Sequence, residues 1–512
     1  RYGAQAGIGG SRVYAGPVPY SLLMRILGFL LVTLLGSCAS STSRANLDRS
    51  RGPNLIFILA DDLGYGELGC YGQKKIRTPN IDALARQGMR FTQAYAGAPV
   101  CAPSRCVLLT GRHLANAEIR GNKAARPEGQ HPISADVPTV AMMMRDAGYA
   151  TGAMGKWGLG PVASSGDPND KGFDLFYGYN CQREAHTYYP GHLWRNREKV
   201  ELNGGVPAPP RGTQEAGDGN FKRFYGADYA PDSMLVEALD FIREHEHEPF
   251  FLYLPFVEPH VAMQPPAAWV DAYPREWDEA PYLGDHGYTP HPRPRAGYAA
   301  MISDLDEHVG AIVGLVDELE LSENTLIVFT SDNGATHDVG GVDTTFFNSV
   351  GPLRGRKGSV YEGGLRVPMI ARWPGVVAAG STSEHQTCFQ DLMATVGELT
   401  GVDVPSDCDG ISYLPTLTGR GPQAAHEYLV WEFYGYGGLK AVRMGDWKAV
   451  QTEIHEGNVD IELYDLATDI GESHDLAAAE PELVARAREI FATDRTASEL
   501  FPMTGFDPID AD

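Results

Sequence analysis

The sequence predicts an α/β protein with a large mixed, mostly parallel sheet sandwiched by helices, followed by a smaller C-terminal α+β subdomain. Apolar strand-like runs alternate with helical stretches from residue 54 to about residue 421, a pattern typical of a parallel sheet covered on both faces. Near residue 419 this pattern changes to short alternating segments, which predict a separate small sheet. The length of 512 residues allows one large α/β unit or about two to four ordinary domains.

Each element of the large sheet has its own pattern. Asn54–Ala60 and Thr325–Ser331 are apolar runs bounded by Gly and polar residues, which predicts buried strands. Helical spacing of apolar residues predicts helices over 137–147, 232–245 and 299–319, and a strand is expected at 249–254. Residues 188–225 and 265–294 are rich in Pro, Gly and aromatic residues without periodicity, so we expect irregular insertions that wall a substrate pocket.

The C-terminal part has the alternation of short strands and a closing helix. Strands are expected at 428–430, 439–444, 447–452 and 462–464, and a helix at 481–492. We therefore predict a catalytic domain over 53–421 and a subdomain of antiparallel sheet plus helix over 422–512.

Composition excludes some classes of partner. A net charge of −24, with 43% hydrophobic and 21% charged residues, is that of a soluble globular protein and argues against nucleic-acid binding. An anionic substrate would therefore need a local cationic pocket.

The N-terminal region resembles an export signal. Residues 1–23 are expected to be an upstream, non-functional extension, and residues 24–38 a signal peptide with Arg25 before a short apolar core. Leu35-Gly36-Ser37-Cys38 resembles a bacterial lipobox, although an ordinary cleavage site with an incidental Cys is the alternative. With a tether over 39–52, we expect a lipid-anchored protein of the outer membrane, periplasm or cell surface.

Acidic and amide side chains follow two of the predicted strands. Asp61 and Asp62 come directly after the first strand, and Asp332 and Asn333 after the strand that ends at Ser331. Such pairs in isolation are usually caps or turns. At the carboxyl ends of parallel strands, however, they supply the oxygen ligands of a hard-cation site.

Further motifs occur in a fixed order. They are Cys101-Ala102-Pro103-Ser104-Arg105, Gly155-Lys156-Trp157, Pro259-His260, and Lys357 followed by Tyr361-Glu362-Gly363-Gly364. A Cys before a helix is by itself usually a packed apolar residue. Together with the two acidic pairs, the set resembles a type I, formylglycine-dependent sulfatase of the arylsulfatase-like kind, within the alkaline phosphatase superfamily, from about residue 54 to the C-terminus.

The resemblance implies an alkaline-phosphatase-like fold and a modified nucleophile. Cys101, in its Cys-x-Pro-x-Arg context, would be converted by formylglycine-generating machinery to 3-oxoalanine (formylglycine), whose hydrate attacks sulfur and later expels sulfate. An unmodified structural Cys is the alternative. Asp61, Asp62, Asp332 and Asn333, with the Cys101 side chain, would bind Ca²⁺, with Mg²⁺ as the second choice.

The resemblance also implies the roles of four cationic or titratable groups. Arg105, four residues after Cys101, would reach back to the nucleophile. Lys156 and Lys357 would contact the sulfate oxygens, and His260 would be the general acid for the leaving oxygen. Solvated lysines and a structural loop histidine are the ordinary alternatives.

The sequence departs from the family at Gly158, where many members carry a His that assists the nucleophile. His186, in an aromatic insertion, is the candidate replacement, with a structural role as its alternative. Possible substrate contacts lie between the motifs, where ordinary loop roles are equally open: Arg120, His337, Asp343 and Asn348.

Seven cysteines give one further constraint. With Cys38 lipidated and Cys101 modified, an odd number remains, so at least one thiol is free. Cys388 and Cys408 are expected to form a disulfide or to be buried free thiols.

The residues and the resemblance together predict a sulfuric ester hydrolase that removes sulfate from a sulfated mono- or oligosaccharide, as in sulfated polysaccharide degradation. A phosphomonoester or phosphonate hydrolase of the same superfamily is the first alternative. A catalytically silent, glycan-binding relative is the second.

Overall fold

The computed structural model describes residues 52–206, 220–285 and 287–507. The predicted extension, signal peptide, Cys38 and nearly all of the tether lie outside these residues. Within the described ranges, no helix combines the length and apolar character needed to span a bilayer.

The described residues form strands and helices with the following bounds. The strands are β1 (Asn54–Ala60), β2 (Met89–Tyr95), β3 (Ala150–Lys156), β4 (Leu175–Tyr179), β5 (His192–Arg195), β6 (Glu198–Glu201), β7 (Phe250–Pro255), β8 (Thr325–Ser331), β9 (Arg366–Arg372), β10 (Ser381–Ser383), β11 (Thr387–Cys388), β12 (Leu429–Phe433), β13 (Leu439–Met444), β14 (Trp447–Gln451) and β15 (Glu462–Asp465). The α-helices are α1 (Pro79–Gln87), α2 (Cys101–Thr110), α3 (Val140–Asp146), α4 (Ala230–Glu244), α5 (Ala267–Asp271), α6 (Pro294–Glu318), α7 (Thr344–Phe347), α8 (Glu362–Leu365), α9 (Asp391–Thr400), α10 (Leu414–Thr418) and α11 (Pro481–Thr493).

The large sheet is mixed, with a parallel centre. Its strand order is β10-β2-β9-β8-β1-β7-β3-β4-β5-β6, and β11 also pairs with β2. The five neighbours β8, β1, β7, β3 and β4 run parallel to one another, whereas β9, β5 and β6 pair antiparallel with their neighbours. The predicted α/β fold class is confirmed.

Strand β1 shows how the sheet is buried on both faces. Leu55, Phe57 and Leu59 pack into one hydrophobic core, while Ile56 and Ile58 pack into the other. Successive side chains of a strand point to opposite faces, so an unbroken apolar run is the pattern expected for a strand between two helical layers. The first core includes residues of α2, α3 and α9, and the second includes residues of α1, α4 and α6.

The C-terminal subdomain is a four-stranded antiparallel sheet in the order β12-β13-β14-β15. On one face, Val442 and Leu463 pack with Ile490 of α11. On the other face, Trp431 and Ala441 join the first core of the large sheet. Both faces of this small sheet are therefore covered, one by α11 and the other by the first core of the large sheet.

Two expectations need correction. The segment 188–225 was expected to be irregular, but it contains the β5–β6 hairpin, whose residues are mostly polar and whose second strand is largely exposed; an edge strand of this kind lacks the apolar pattern that identifies buried strands. Cys388 and Cys408 are free thiols, so of the two alternatives the disulfide is wrong.

Candidate active site

The two acidic pairs meet at the carboxyl ends of adjacent strands. Ala60 of β1 lies opposite Ser331 of β8, which places the residues that follow each strand side by side. The amide N–H of Asp62 donates to Asp332 Oδ1 at 3.1 Å, and Asn333 Nδ2 donates to Asp62 Oδ1 at 2.8 Å. Asp61 and these three residues are fully buried. The predicted convergence of four oxygen-bearing side chains is what the structure shows.

Cys101 is the first residue of α2 and is buried beside this cluster. Its Sγ lies 3.4 Å from Asp61 Oδ1 and 3.4 Å from Lys156 Nζ. Lys357 Nζ lies 3.7 Å from the same sulfur. Burial and the nearby Asp61 raise the pKa of the Cys101 thiol to about 12, so the unmodified side chain would be a neutral thiol and a weak nucleophile.

The cationic side chains form ion pairs with the carboxylates. Lys156 Nζ donates to Asp61 Oδ2 at 2.5 Å, and Lys357 Nζ donates to Asp62 Oδ2 at 2.7 Å. Burial alone would raise the pKa values of Asp61 and Asp62, but the neighbouring positive groups together outweigh it and lower both values, with Lys156 contributing most for Asp61 and Lys357 most for Asp62. Both carboxylates are therefore ionised and available to a cation.

Arg105 is held in the buried cluster by Asp332 and the backbone of Lys156. Its Nε and Nη2 donate to Asp332 Oδ2 at 3.1 and 2.9 Å, and its Nη1 donates to the carbonyl of Lys156. No hydrogen bond joins Arg105 to Cys101 among the described residues. Arg105 therefore orients Asp332, whose pKa burial and Asp61 nevertheless raise to about 7, and its expected contact with an oxygen of the modified nucleophile stays a prediction.

His260 lies next to Lys357. Its Nε2 is 3.1 Å from Lys357 Nζ and 3.5 Å from Asp62 Oδ2, and its Nδ1 contacts the carbonyl of Val261. Burial, with the charge of Lys357, lowers the pKa of His260 to about 3. The ring is therefore neutral, with the proton on Nδ1 and Nε2 accepting from the ammonium. The labile proton of this pair resides on Lys357.

His186 stacks on His260. The ring centroids are 4.5 Å apart with an interplanar angle of 7°, and Tyr288 packs edge-on against His186 at 5.8 Å. His186 ends a short 3-10 turn, Glu184–His186, that follows β4. Sequence reasoning identified His186 as a candidate from its aromatic segment, and the structure brings it into contact with another candidate more than 70 residues away.

Gly158 adopts a backbone conformation that would be strained in a histidine. Its φ is +96°, and a Cβ atom at this position would lie 2.7 Å from Nε2 of Gln182. Residues that carry a Cβ atom avoid positive φ, and the Gln182 side chain occupies the adjacent space. The local backbone therefore favours glycine at position 158.

The four proposed substrate residues have different surroundings. Arg120 is buried and donates to Glu432 at 2.9 Å and to Thr496 at 2.8 Å, so its position gives no support to a role in substrate binding. Asp343 caps the N-terminus of α7 and pairs with Arg295 at 2.7 Å.

The other two substrate candidates are more open. Asn348 is an exposed residue in the left-handed turn that ends α7. His337 is half-buried, and Lys357 is among the charges that lower its pKa, after burial itself. Of the four, His337 is therefore the one whose pKa is affected by the charge of Lys357.

Tyr436 is a rim residue that the sequence did not reveal. It lies in the β12–β13 loop, is 61% exposed, and has its ring 6.2 Å from that of His337. A Cβ added at Gly358 would lie 2.8 Å from the Tyr436 ring, which places the aromatic beside Lys357. A φ of +52° in a non-glycine residue marks a strained backbone of the kind found at functional sites.

The donor set suits a divalent cation. Asp61, Asp62, Cys101 and His260 each offer a ligand atom, all within 4.8 Å of one another. Asn333 Oδ1 is buried and makes no hydrogen bond within the described part of the chain, although buried amide oxygens are normally satisfied. Carboxylate and amide oxygens are the ligands of hard cations such as Ca²⁺ and Mg²⁺, so the residues present fit a metal of this class.

Comparisons with known families agree with this geometry. The model of the Sulfatase family matches residues 53–402. The model described as N-sulphoglucosamine sulphohydrolase, C-terminal, matches residues 356–489.

Individual relatives are similar over most of the chain. N-acetylgalactosamine-6-O-sulfatase of Bacteroides thetaiotaomicron is 30% identical, over 91% of this chain and 97% of its own. Arylsulfatase D of Homo sapiens is 31% identical, over 78% of this chain and 73% of its own. A crystal structure of Ps i-CgsB in complex with k-i-k-neocarrahexaose superposes with a TM-score of 0.72 at 28% identity, covering 88% of this chain and 95% of that one.

Proposed function

Since this chain belongs to the sulfatase family and is a hydrolase of sulfate esters, we propose that it removes sulfate from a sulfated carbohydrate with a formylglycine nucleophile and bound Ca²⁺. The observation that carries the proposal is the position of Cys101 Sγ, within 3.7 Å of Asp61, Lys156 and Lys357 at the bottom of a buried charged cluster.

The proposal requires modification of Cys101. As a thiol it would be protonated, because its pKa is raised to about 12, and the cluster would then hold a weak nucleophile among three ion pairs. Oxidised to formylglycine and hydrated, this residue would supply a hydroxyl nucleophile and a second hydroxyl that allows release of sulfate. The Cys-x-Pro-x-Arg context of Cys101 supports recognition by the maturation machinery.

Asp61, Asp62 and Asn333 would hold the cation, with Asp332 positioned by Arg105. Ca²⁺ is proposed before Mg²⁺ because Ca²⁺ accepts several protein oxygens in a flexible geometry, whereas Mg²⁺ demands near-ideal octahedral geometry and usually keeps several waters. When bound, the ion would polarise the sulfate group and favour the ionised nucleophile.

The lysines and histidines perform the remaining steps. Lys156 and Lys357 flank the nucleophile and would bind the non-bridging sulfate oxygens, where negative charge must be stabilised in the transition state. Lys357 holds the proton that the leaving alcohol needs, and His260 Nε2, at 3.1 Å, can take up or return it. His186, stacked on His260, would orient that ring and occupy the role left vacant at Gly158.

The carbohydrate part of the proposal rests on the rim and on relatives. Tyr436 and His337 form an exposed aromatic and polar surface beside Lys357, which suits a sugar ring. The names of two similar proteins refer to sugars: the Bacteroides relative is an N-acetylgalactosamine-6-O-sulfatase, and a structural neighbour was solved with k-i-k-neocarrahexaose.

The proposal also includes export as a lipoprotein anchored through Cys38 to the outer membrane or cell surface. Its support is the short apolar stretch ending in Leu35-Gly36-Ser37-Cys38. Labelling with a radioactive fatty acid in a bacterial host tests this part: Cys38→Ala is expected to lose the label and to leave the membrane fraction.

Parallel assays test the function. The full chain, matured in a host with formylglycine-generating machinery and supplied with Ca²⁺, is assayed on 6-sulfated N-acetylgalactosamine, other sulfated saccharides and the matching phosphate monoesters. We expect sulfate release from at least one saccharide and loss of turnover in Cys101→Ala. Faster turnover of the phosphate esters would contradict the assignment, as would full activity of Cys101→Ala.

Mass spectrometry of the peptide that contains residue 101 tests maturation directly. We expect the mass of formylglycine in active protein. A thiol at position 101 in fully active protein would refute the proposed nucleophile.

A further inference from the structure

A second buried cluster of ligand-type side chains lies outside the active site. Asp232 is in the first turn of α4, and Asp304 and His308 are one turn apart on α6. Each of the three offers a ligand atom, and these atoms all lie within 4.8 Å of one another. Glu258, which follows β7 and is fully buried, contacts the same histidine.

The distances around His308 suit metal coordination. Its Nε2 lies 3.4 Å from Asp232 Oδ1 and 3.9 Å from Asp304 Oδ1. Ligands about 2.0 to 2.2 Å from a tetrahedral ion are separated from each other by about 3.3 to 3.6 Å, so small side-chain movements would complete the set. Asp304 is 3% exposed, and its Oδ2 makes no hydrogen bond with any described residue. This buried, unsatisfied oxygen belongs to a residue of the cluster, and a buried polar atom without a hydrogen bond indicates that a partner is missing.

Glu258 lies beside the imidazole, where metal-binding histidines commonly have a carboxylate, although its Oε1 and His308 Nδ1 make no hydrogen bond of normal geometry with any described residue. Its Oε1 lies 3.1 Å from His308 Nδ1. In metal sites, the ring nitrogen that does not bind the ion typically donates to a carboxylate, which fixes the tautomer and leaves the other nitrogen as the ligand. Here that other nitrogen, Nε2, faces the two aspartates.

The charge of the cluster also calls for a cation. Three carboxylates surround one imidazole, and no Lys or Arg of the described residues forms an ion pair with any of them. Asp232 is partly exposed to solvent, so with His308 protonated one of the two buried carboxylates, Asp304 or Glu258, still has no positive partner among the described residues. Buried charge without compensation is costly, and a divalent ion would balance it.

We propose that Asp232, Asp304 and His308 form a second metal site that takes a divalent transition ion such as Zn²⁺, with Glu258 positioning His308. The Asp232 side chain is 37% exposed, which gives the ion an entry path and leaves room for water as a fourth ligand. One imidazole nitrogen and two carboxylates suit Zn²⁺ better than Ca²⁺. The site is therefore expected to prefer a different metal from the oxygen-rich cluster at Asp61.

The proposed metal site would link two helices to the chain segment that carries an active-site residue. It joins α4 and α6 to the segment after β7, in which Glu258 stands two residues before His260. An ion bound there would hold both helices and that segment in one arrangement. The competing arrangement is a closed ion-pair network in which the proton on His308 takes the place of the ion.

Metal binding by the full chain tests the site without reference to catalysis. The protein is stripped with a chelator, returned to excess Ca²⁺ to saturate the oxygen-rich cluster, and titrated with Co²⁺, whose visible absorption reports tetrahedral coordination. We expect one Co²⁺ per chain, displaced by Zn²⁺. Asp232→Asn should weaken Co²⁺ binding at least 10-fold, because it replaces a charged ligand at the partly exposed edge of the site.

Asp240→Asn is the matched control, because Asp240 lies on the same helix, is 59% exposed and pairs only with Arg243 in the described structure. It should bind Co²⁺ like the original chain. Equal Co²⁺ affinity in the Asp232→Asn and original chains, or no Co²⁺ band in the original chain, would overturn the proposal. A Zn²⁺-dependent rise in Tm that Asp232→Asn abolishes would support it, even if His308 variants fail to fold.

Discussion

Replacement of Lys357 by Met tests whether this side chain supplies both charge and a proton to the reaction. Its Nζ lies 3.7 Å from Cys101 Sγ, 2.7 Å from Asp62 Oδ2 and 3.1 Å from His260 Nε2. Met retains most of the volume of the buried stem and removes the ammonium. The variant therefore isolates the electrostatic contribution with little loss of packing.

The magnitude follows from the distance to the reacting atom. A unit charge about 4 Å from developing negative charge contributes about 4 kcal/mol at an effective dielectric constant of about 20. This energy corresponds to a loss of about 10³-fold in kcat/KM. The bound substrate loses less of this stabilisation than the transition state does, so most of the effect is expected in kcat.

Two substrates separate charge from proton transfer. A nitrophenyl sulfate has a leaving group that departs without protonation, so Lys357→Met should lose only the electrostatic contribution. A sulfated sugar has an alkoxide leaving group that needs a proton, so a further loss of about 10²- to 10⁴-fold is expected. Initial rates on both substrates, measured at saturating Ca²⁺, give the comparison.

Lys74→Met is the control, because Lys74 is exposed and should change neither rate. A loss of less than 10-fold on both substrates, in protein that is folded and carries its metal, would refute the electrostatic argument. Equal losses on the two substrates would show that Lys357 does not provide the proton.

Three other changes have defined outcomes. Asn333→Ala removes the unsatisfied Oδ1 and should weaken Ca²⁺ binding about 10-fold or more in calorimetry; unchanged affinity would exclude Asn333 as a ligand. Tyr436→Ala should raise KM for a sulfated oligosaccharide by about 2- to 10-fold while leaving nitrophenyl sulfate unaffected; equal effects on both substrates would contradict a sugar-binding role. Burial lowers the pKa of His291 to about 4, whereas the same side chain in the unfolded chain has a pKa of about 6.5. Between these pH values the unfolded chain binds more protons than the folded chain, so the free energy of unfolding falls as the pH drops through this window. Between pH 7.5 and pH 4.5, the free energy of unfolding in urea should therefore fall by about 2 to 3 kcal/mol less for His291→Gln than for the original chain. An equal fall in the two proteins would show that His291 does not cause the loss of stability in acid.

The sequence was sufficient for the parallel centre of the fold because burial on both faces leaves an unambiguous pattern. Asn54–Ala60 and Thr325–Ser331 were predicted with the bounds that the structure has. Helix α6 starts at Pro294, five residues before the predicted start at 299. The prediction began too late because Pro occurs at the first position of helices as well as at helix breaks. The β5–β6 hairpin was missed since polar edge strands carry no such pattern.

The site was predictable where residues follow strand ends and less so where chain segments meet in three dimensions. Asp62 and Asn333 converge because β1 and β8 are neighbouring parallel strands, whose carboxyl ends lie at the same edge of the sheet. No local pattern reveals that Arg120 pairs with Glu432, 312 positions away, or that Tyr436 comes from the C-terminal sheet to the rim. Such contacts depend on how the subdomain packs against the main core, which is a property of the whole chain.

The balance of charge within the cluster explains how an acidic protein can bind a sulfate ester. Asp61, Asp62 and Asp332 contribute three carboxylates, which are matched by the three cations Arg105, Lys156 and Lys357. These side chains alone are close to neutral and would hold an anion weakly. A divalent ion held by the same carboxylates would make the cluster positive at the point where the substrate's charge must lie. The chain's net charge of −24 is spread over its surface and largely screened beyond about 10 Å in salt, so attraction is confined to this pocket. Metal binding should therefore act mainly by raising the affinity of the protein for anions. Inorganic sulfate should bind the Ca²⁺-loaded protein, and inhibit it, more strongly than it binds the metal-free protein.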